Sequence, residues 1–265
     1  MSSAYLLVSH GSRDPRPQVA MERLATLLSQ YQACVPIMTH AQERWGAGEN
    51  QLRITVGTAC LELSPVPLHM QITEFADRAV KSGYNRLQIV PLFLLPGMHV
   101  MEDIPTEVDL AQKILGQKLQ LEVRPYLGTH PGIVRLLATG IASTKAEARI
   151  LLAHGSRRAG ATQPVEAIAH RVGALSAYWA VAPSLESRVQ ELASTGYQQI
   201  GIIPYFLFAG GITDAIAVAV EQLQGQFPFV KLDLAEPLGA SQELADLIWD
   251  LIDEPLQAQR AHRRE

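Results

Sequence analysis

Cysteine is nearly missing from this chain: two residues, Cys34 and Cys60, stand in 265. They lie far apart and no CxxC pair occurs, so neither an iron–sulfur cluster nor a cysteine zinc site can be built from this chain alone. Both cysteines read as reduced thiols. Long apolar runs are lacking as well. No stretch approaches the ~20 apolar residues of a membrane span, and the first run, entered at Tyr5, breaks at His10, too short for a secretory signal core. A soluble, cytoplasmic protein without a membrane partner is expected. Excess positive charge is a third absence: the formal net charge is −4 with 18% charged residues. That excludes the global basic field with which proteins hold nucleic acid. Neither a GxGxxG nor a Walker A pattern occurs, and no histidine-rich metal-storage tract is present.

What the chain does contain is repetition, which is sought before anything else because it decides the architecture. "HGSR" at His10 to Arg13 returns at His154 to Arg157, an offset of 144. "SGYNRLQIVPLFLLPG" returns as "TGYQQIGIIPYFLFAG" at an offset of 113, and Leu127-Gly128 returns as Leu238-Gly239. Three anchors in one order predict two copies of one unit: a first domain over residues 1–142 and a second over residues 148–265. The change of offset leaves 31 residues present only in the first copy. Much of that excess is assigned to the polar "THAQERWGAGENQ", residues 39–51, either a gate or a surface decoration, whose Trp45 has the flat apolar face that stacks on a ring.

Within each copy the pattern alternates. "AYLLVS" and "RILLA" are short apolar runs of buried-strand type, and segments 17–31 and 163–176 carry apolar residues at helical spacing. "LQIVPLFLL" and "QIGIIPYFLF" are near-continuous apolar runs, as strands covered on both faces of a parallel sheet require. Pro91 and Pro204 cannot donate ladder hydrogen bonds, so each predicts a bulge or a strand end. Helices follow over about 104–115 and 213–223, then strands "LQLEVR" and "VKLDLA", then closing helices near 131–141 and 240–252. This order predicts an α/β fold of two similar doubly wound domains, each a parallel sheet flanked by helices, facing each other across a cleft.

In such sheets ligands bind beyond the carboxyl ends of the strands. His10 stands at that edge of the first strand and His99 at the same edge of another, each beside a glycine, Gly11 or Gly97, that permits a sharp turn. Glu102 and Asp103 follow His99 by about one helical turn. Two histidines and a carboxylate converging on one cleft are the makings of an open site for a divalent transition metal, because neutral imidazole is available near pH 7 (unperturbed pKa about 6.5). His40, His69, His130, His170 and His262 have no such placement and read as packing or surface residues. Ser12 and Ser156 fit helix capping at least as well as catalysis, since no base is evident for a nucleophilic serine.

"VSHGSR", "CLELSPVP" and "VPLFLLPGMHVMEDIP", with the first and third elements repeated, resemble the class II tetrapyrrole chelatases of the sirohydrochlorin type over nearly the whole chain. The resemblance implies a two-lobed chelatase fold and insertion of Fe²⁺ or Co²⁺ into sirohydrochlorin. It implies His10 and His99 as the metal-delivering pair and Glu102 as their acidic partner. The second copy keeps His154, but Ile212 stands where His99 would be and Ala215 where Glu102 would be. A fused dimer with one complete site, working as a monomer without a tightly bound cofactor, is therefore expected. The substrate's many carboxylates suit bidentate arginine, and Arg13, Arg16, Arg157 and Arg158 lie just past the two histidine turns. Solvated loop arginines are the competing reading. A carrier of tetrapyrrole or metal with the same fold is the alternative to an enzyme. Histidine phosphatases are disfavoured, because Ser9 and Ala153 stand where their motif places arginine.

Overall fold

The computed structural model describes residues 3–30, 55–142, 146–158 and 160–253. The segment 39–51 with Trp45, along with Cys34, His40 and His262, lies outside the described residues.

The first half runs β1 (Ser3–Ser9), α1 (Pro15–Gln30), β2 (Val56–Cys60), α2 (Leu68–Lys81), β3 (Arg86–Pro91), α3 (Ile104–Leu115), β4 (Gln120–Val123) and α4 (Gly132–Ala142). The second half runs β5 (Ala148–Ala153), α5 (Gln163–Arg171), β6 (Leu175–Tyr178), α6 (Leu185–Ser194), β7 (Gln199–Pro204), α7 (Gly211–Gln226), β8 (Lys231–Leu234) and α8 (Gln242–Asp253). Each half forms one four-stranded sheet, in orders β2-β1-β3-β4 and β6-β5-β7-β8, with every pairing parallel. Pro91 and Pro204 close β3 and β7, the strand-end position that suits a residue with no N–H to donate.

Alternation along each strand divides the side chains between two layers. In β1, Ala4, Leu6 and Val8 face one way and Leu7 the other. The outward set packs with Leu68, Ile72 and Phe75 of α2 and Ile104, Val108 and Ala111 of α3. The inward set joins a core shared by both halves: Met21, Leu24, Ala25 and Leu28 of α1, spaced to line one helical face, meet Leu244, Ile248, Leu251 and Ile252 of α8. Ile133 and Leu137 of α4 and Val165 and Ala169 of α5 complete it. The second sheet repeats the scheme, with Ile150 and Leu152 outward against α6 and α7, and Leu151 and Ala153 inward. The result is five layers, helices outside each sheet and one helical layer between them.

Each fully buried leucine or isoleucine in that middle layer contributes about 1.5–3 kcal/mol relative to exposure. Two polar ties add direction. The buried Arg124, just past β4, donates from Nε to the Leu251 carbonyl at the end of α8 over 2.9 Å. Tyr205 donates its phenol to the Leu94 carbonyl of the other lobe at 3.2 Å.

Three residues, 172–174, join α5 to β6, whereas residues 31–55 join α1 to β2. Most of the first copy's extra length therefore falls at that connection, with a smaller part in the longer helices α1 and α2.

Candidate functional site

Strand order reverses direction between β1 and β3, and ligands in open α/β sheets sit at that switch, beyond the strands' carboxyl ends. His10 follows β1 directly, and His99 lies eight residues beyond β3 at the start of a π turn, His99–Asp103, that runs into α3. The two imidazoles meet edge to face, with ring centroids 4.8 Å apart and planes at 80°. Both present Nε2 to one carboxylate, that of Glu62: His10 at 3.6 Å and His99 at 3.9 Å. One ligand atom from each of His10, Glu62 and His99 lies within 4.8 Å of the others. Two nitrogens and a carboxylate oxygen suit Fe²⁺, Co²⁺ and Ni²⁺ alike, and three ligands on one open face leave coordination positions for a substrate.

Local structure fixes the position of Glu62. The strand pairing of β1 with β2 continues past its end, Leu61 N–H donating to Ser9 O at 2.9 Å and Glu62 N–H to His10 O at 2.8 Å. Gly11 has φ +101°, and a Cβ there would stand 2.1 Å from the Glu62 carbonyl oxygen. Only glycine permits that approach. Leu63, the next residue, is the one non-glycine residue at positive φ among the described residues, at 60°.

Glu102, expected beside the histidines, is exposed and does not belong to the cluster. Its role is implied by the resemblance, whereas helical spacing offers Glu102 and Asp103 alike, at i+3 and i+4 from His99. Asp103 holds His99, with Oδ2 2.7 Å from Nδ1. Glu62 escaped the reading of individual residues although "CLELSPVP" was among the recognised motifs; its signal is that motif's position directly after the strand paired to β1.

The four arginines separate. Arg16 is held by Asp14 in its own turn and by Asp214 of α7, Nη1 lying 3.0 Å from Asp214 Oδ1. Hydrogen bonds from Arg16 hold the Asp14 carboxyl at about 2, and they lower that of Asp214 as well. Arg158 reaches the Met98 sulfur of the first lobe. Arg13 and Arg157 are exposed and make no side-chain ion pair among the described residues.

The second lobe repeats the backbone without the ligands. Trp179 N–H bonds Ala153 O and Ala180 N–H bonds His154 O, both at 2.9 Å, as Leu61 and Glu62 do in the first lobe. Ala180 thus takes the place of Glu62, and Ile212, 42% exposed, takes that of His99. His154 is the one member retained.

A model of the CbiX family matches residues 4–144 and 148–255. A sirohydrochlorin ferrochelatase of Priestia megaterium is 28% identical over 188 residues, 65% of this chain and 68% of that protein. A sirohydrochlorin cobaltochelatase of the same organism is 24% identical over 270 residues, 96% of this chain and 80% of that protein. Among solved structures, SirB from Bacillus subtilis with Fe³⁺ shares the fold, with TM-score 0.73, 21% identity and 98% of each chain covered.

Proposed function

The chain belongs to the CbiX family, and from that premise we propose that it inserts a divalent metal, Fe²⁺ or Co²⁺, into sirohydrochlorin. The observation that carries the proposal to this chain's own residues is the convergence of His10 Nε2, His99 Nε2 and the Glu62 carboxylate. These three receive the metal as substrate. A closed four-ligand cage would retain it, whereas an open three-ligand face allows ring nitrogens to add before protein ligands leave.

Insertion replaces two pyrrole N–H protons by one metal ion, so two protons must go to bases. His10 and Glu62, each released as the metal passes to the ring, are the nearest acceptors in the site. A released imidazole nitrogen carries a lone pair and can take such a proton and pass it on to solvent. Arg13 and Arg157, without acidic partners among the described residues, are the arginines best able to take rim carboxylates in bidentate fashion. Arg16 and Arg158 are assigned the same role only after giving up Asp214 and Met98.

Two finer readings belong to the proposal. The shared middle core supports a monomer in which each lobe supplies the other's partner surface. No described helix is long and apolar enough to cross a membrane, and a cytoplasmic setting fits metal delivery to a soluble tetrapyrrole.

The test is an anaerobic absorbance assay with sirohydrochlorin and, separately, Co²⁺ and Fe²⁺, corrected for spontaneous insertion. Catalysed conversion that collapses in His99→Ala is the expected result and ranks the metals. Spectral shifts of binding without accelerated insertion would replace the enzyme by a carrier.

A further inference from the structure

The two histidines of the site are supported unequally. Among the described residues His10 Nδ1 has only the carbonyl of its neighbour Gly11, at 3.3 Å and exposed. His99 Nδ1 has a carboxylate, Asp103 Oδ2, at 2.7 Å, with the two side chains about one-third exposed. A carboxylate accepts and cannot donate, so its bond requires the proton of a neutral His99 ring to sit on Nδ1. That leaves the Nε2 lone pair, the atom facing Glu62, free for a metal.

We propose that Asp103 is a positioning residue: from the i+4 position it fixes the tautomer and ring orientation of His99, making His99 the firmly held ligand and His10 the yielding one. The inference rests on the reading of His10, Glu62 and His99 as the metal-receiving group. Asp103 does not touch the metal in this scheme. Its carboxylate acts only by holding Nδ1–H, and such outer partners typically govern metal affinity by about 10–100-fold. The contact is an i,i+4 pair, the spacing at which two side chains meet on one helical face, and both residues are continuous with α3. The second lobe lacks the device along with the ligand: Ile216, fully buried, stands at the repeat position of Asp103.

The test uses the full chain with ¹⁵N-labelled histidine, read by imidazole nitrogen shifts above neutral pH, and Co²⁺ titration followed by visible absorbance, both without tetrapyrrole. His99→Gln assigns the His99 signals. Wild type is expected to show one protonated nitrogen, Nδ1, at His99. Asp103→Ala is expected to mix the two tautomers and weaken Co²⁺ binding by about 10–100-fold. Asp103→Asn, whose side-chain carbonyl still accepts the Nδ1 proton, should restore the wild-type tautomer and most of the affinity. An unchanged tautomer and affinity in Asp103→Ala would overturn the proposal, as would an Asn variant no better than the Ala variant. The nitrogen shifts need no metal, so a wild-type protein that failed to bind Co²⁺ would count against the metal-site reading while the tautomer still judged Asp103.

Discussion

Arg16 in the first lobe and Asp214 in the second are joined by two hydrogen bonds, Nη1 to Oδ1 at 3.0 Å and Nη2 to Oδ2 at 2.5 Å. The pair spans the two N-terminal helix ends, α1 and α7, just past the turns that carry the metal ligands in the first lobe. Both side chains are about half exposed, so salt screens the bond. The lowered Asp14 and Asp214 carboxyls set its pH range. A carboxyl held below its unfolded value favours the paired state at all pH above the ordinary carboxylate range, and it loses that contribution only as pH falls, for Asp14 towards about 2. The tie is therefore intact at neutral pH and competes there with substrate carboxylates for Arg16. Asp214→Asn should free the Nη1 edge of the guanidinium, while Asp14 still holds its Nε edge, and lower KM for sirohydrochlorin by about two- to fivefold, the scale of one exposed ionic contact, with the gain shrinking at high salt. Co²⁺ affinity should not move. A KM that stays constant would make Arg16 a tie between lobes and nothing more.

Glu62 and Glu102 make opposite predictions, because only the first shares a site with both histidines. Glu62→Gln keeps the shape and removes the charge, and should weaken Co²⁺ binding at least about tenfold, more than loss of an outer partner at the low end of its range. Insertion should fall with it. Glu102→Gln alters an exposed side chain whose backbone carbonyl, not its carboxylate, is engaged, by Thr106. Metal titration and initial rates of the two variants should separate clearly; equal losses would restore Glu102 to the site.

Much of the architecture was legible from periodicity. The helix expected over 104–115 spans Ile104–Leu115, and the prolines of the two apolar runs end their strands. β2 and β6 were not legible: "VGTAC" and "LSAY" are short and rich in small residues, and each earns its strand state from pairing with the central strand beside it. His10 and His99 could be placed because a strand edge is a topological position that sequence marks. The third member of the cluster could not, because Glu62 is brought in by cross-strand hydrogen bonds, and spacing offers both Glu102 and Asp103 to His99 without choosing Asp103.

Glycine requirements at the two histidine turns differ although the motifs look alike. A Cβ at Gly11 would strike the Glu62 carbonyl in a backbone region that side chains avoid, whereas at Gly97 no atom lies within 4 Å. Gly11→Ala should destabilise the fold by about 2–4 kcal/mol, combining steric conflict with positive φ, and should displace Glu62. Gly97→Ala should stay within about 0.5 kcal/mol of wild type. Urea unfolding gives the stabilities, and Co²⁺ titration of folded Gly11→Ala should show the weakened site.

The second lobe retains one ligand of three, so its defect is in side chains rather than backbone. His154→Ala should accordingly keep most insertion activity while His99→Ala loses it; equal losses would end the single-site account. The stronger test rebuilds what is missing. Ala180 occupies the strand-pairing position of Glu62 and Ile212 the repeat position of His99, and the hydrogen bonds that set the Glu62 backbone recur at Ala180 within 0.1 Å. Ala180→Glu combined with Ile212→His should raise Co²⁺ stoichiometry from one to two per chain. The new site should be the weaker, by about 10–100-fold, because Ile216 cannot hold the introduced imidazole as Asp103 holds His99. Calorimetric titration of wild type and the double variant reads both quantities, and a stoichiometry still at one would show that the second lobe's backbone no longer frames a metal site.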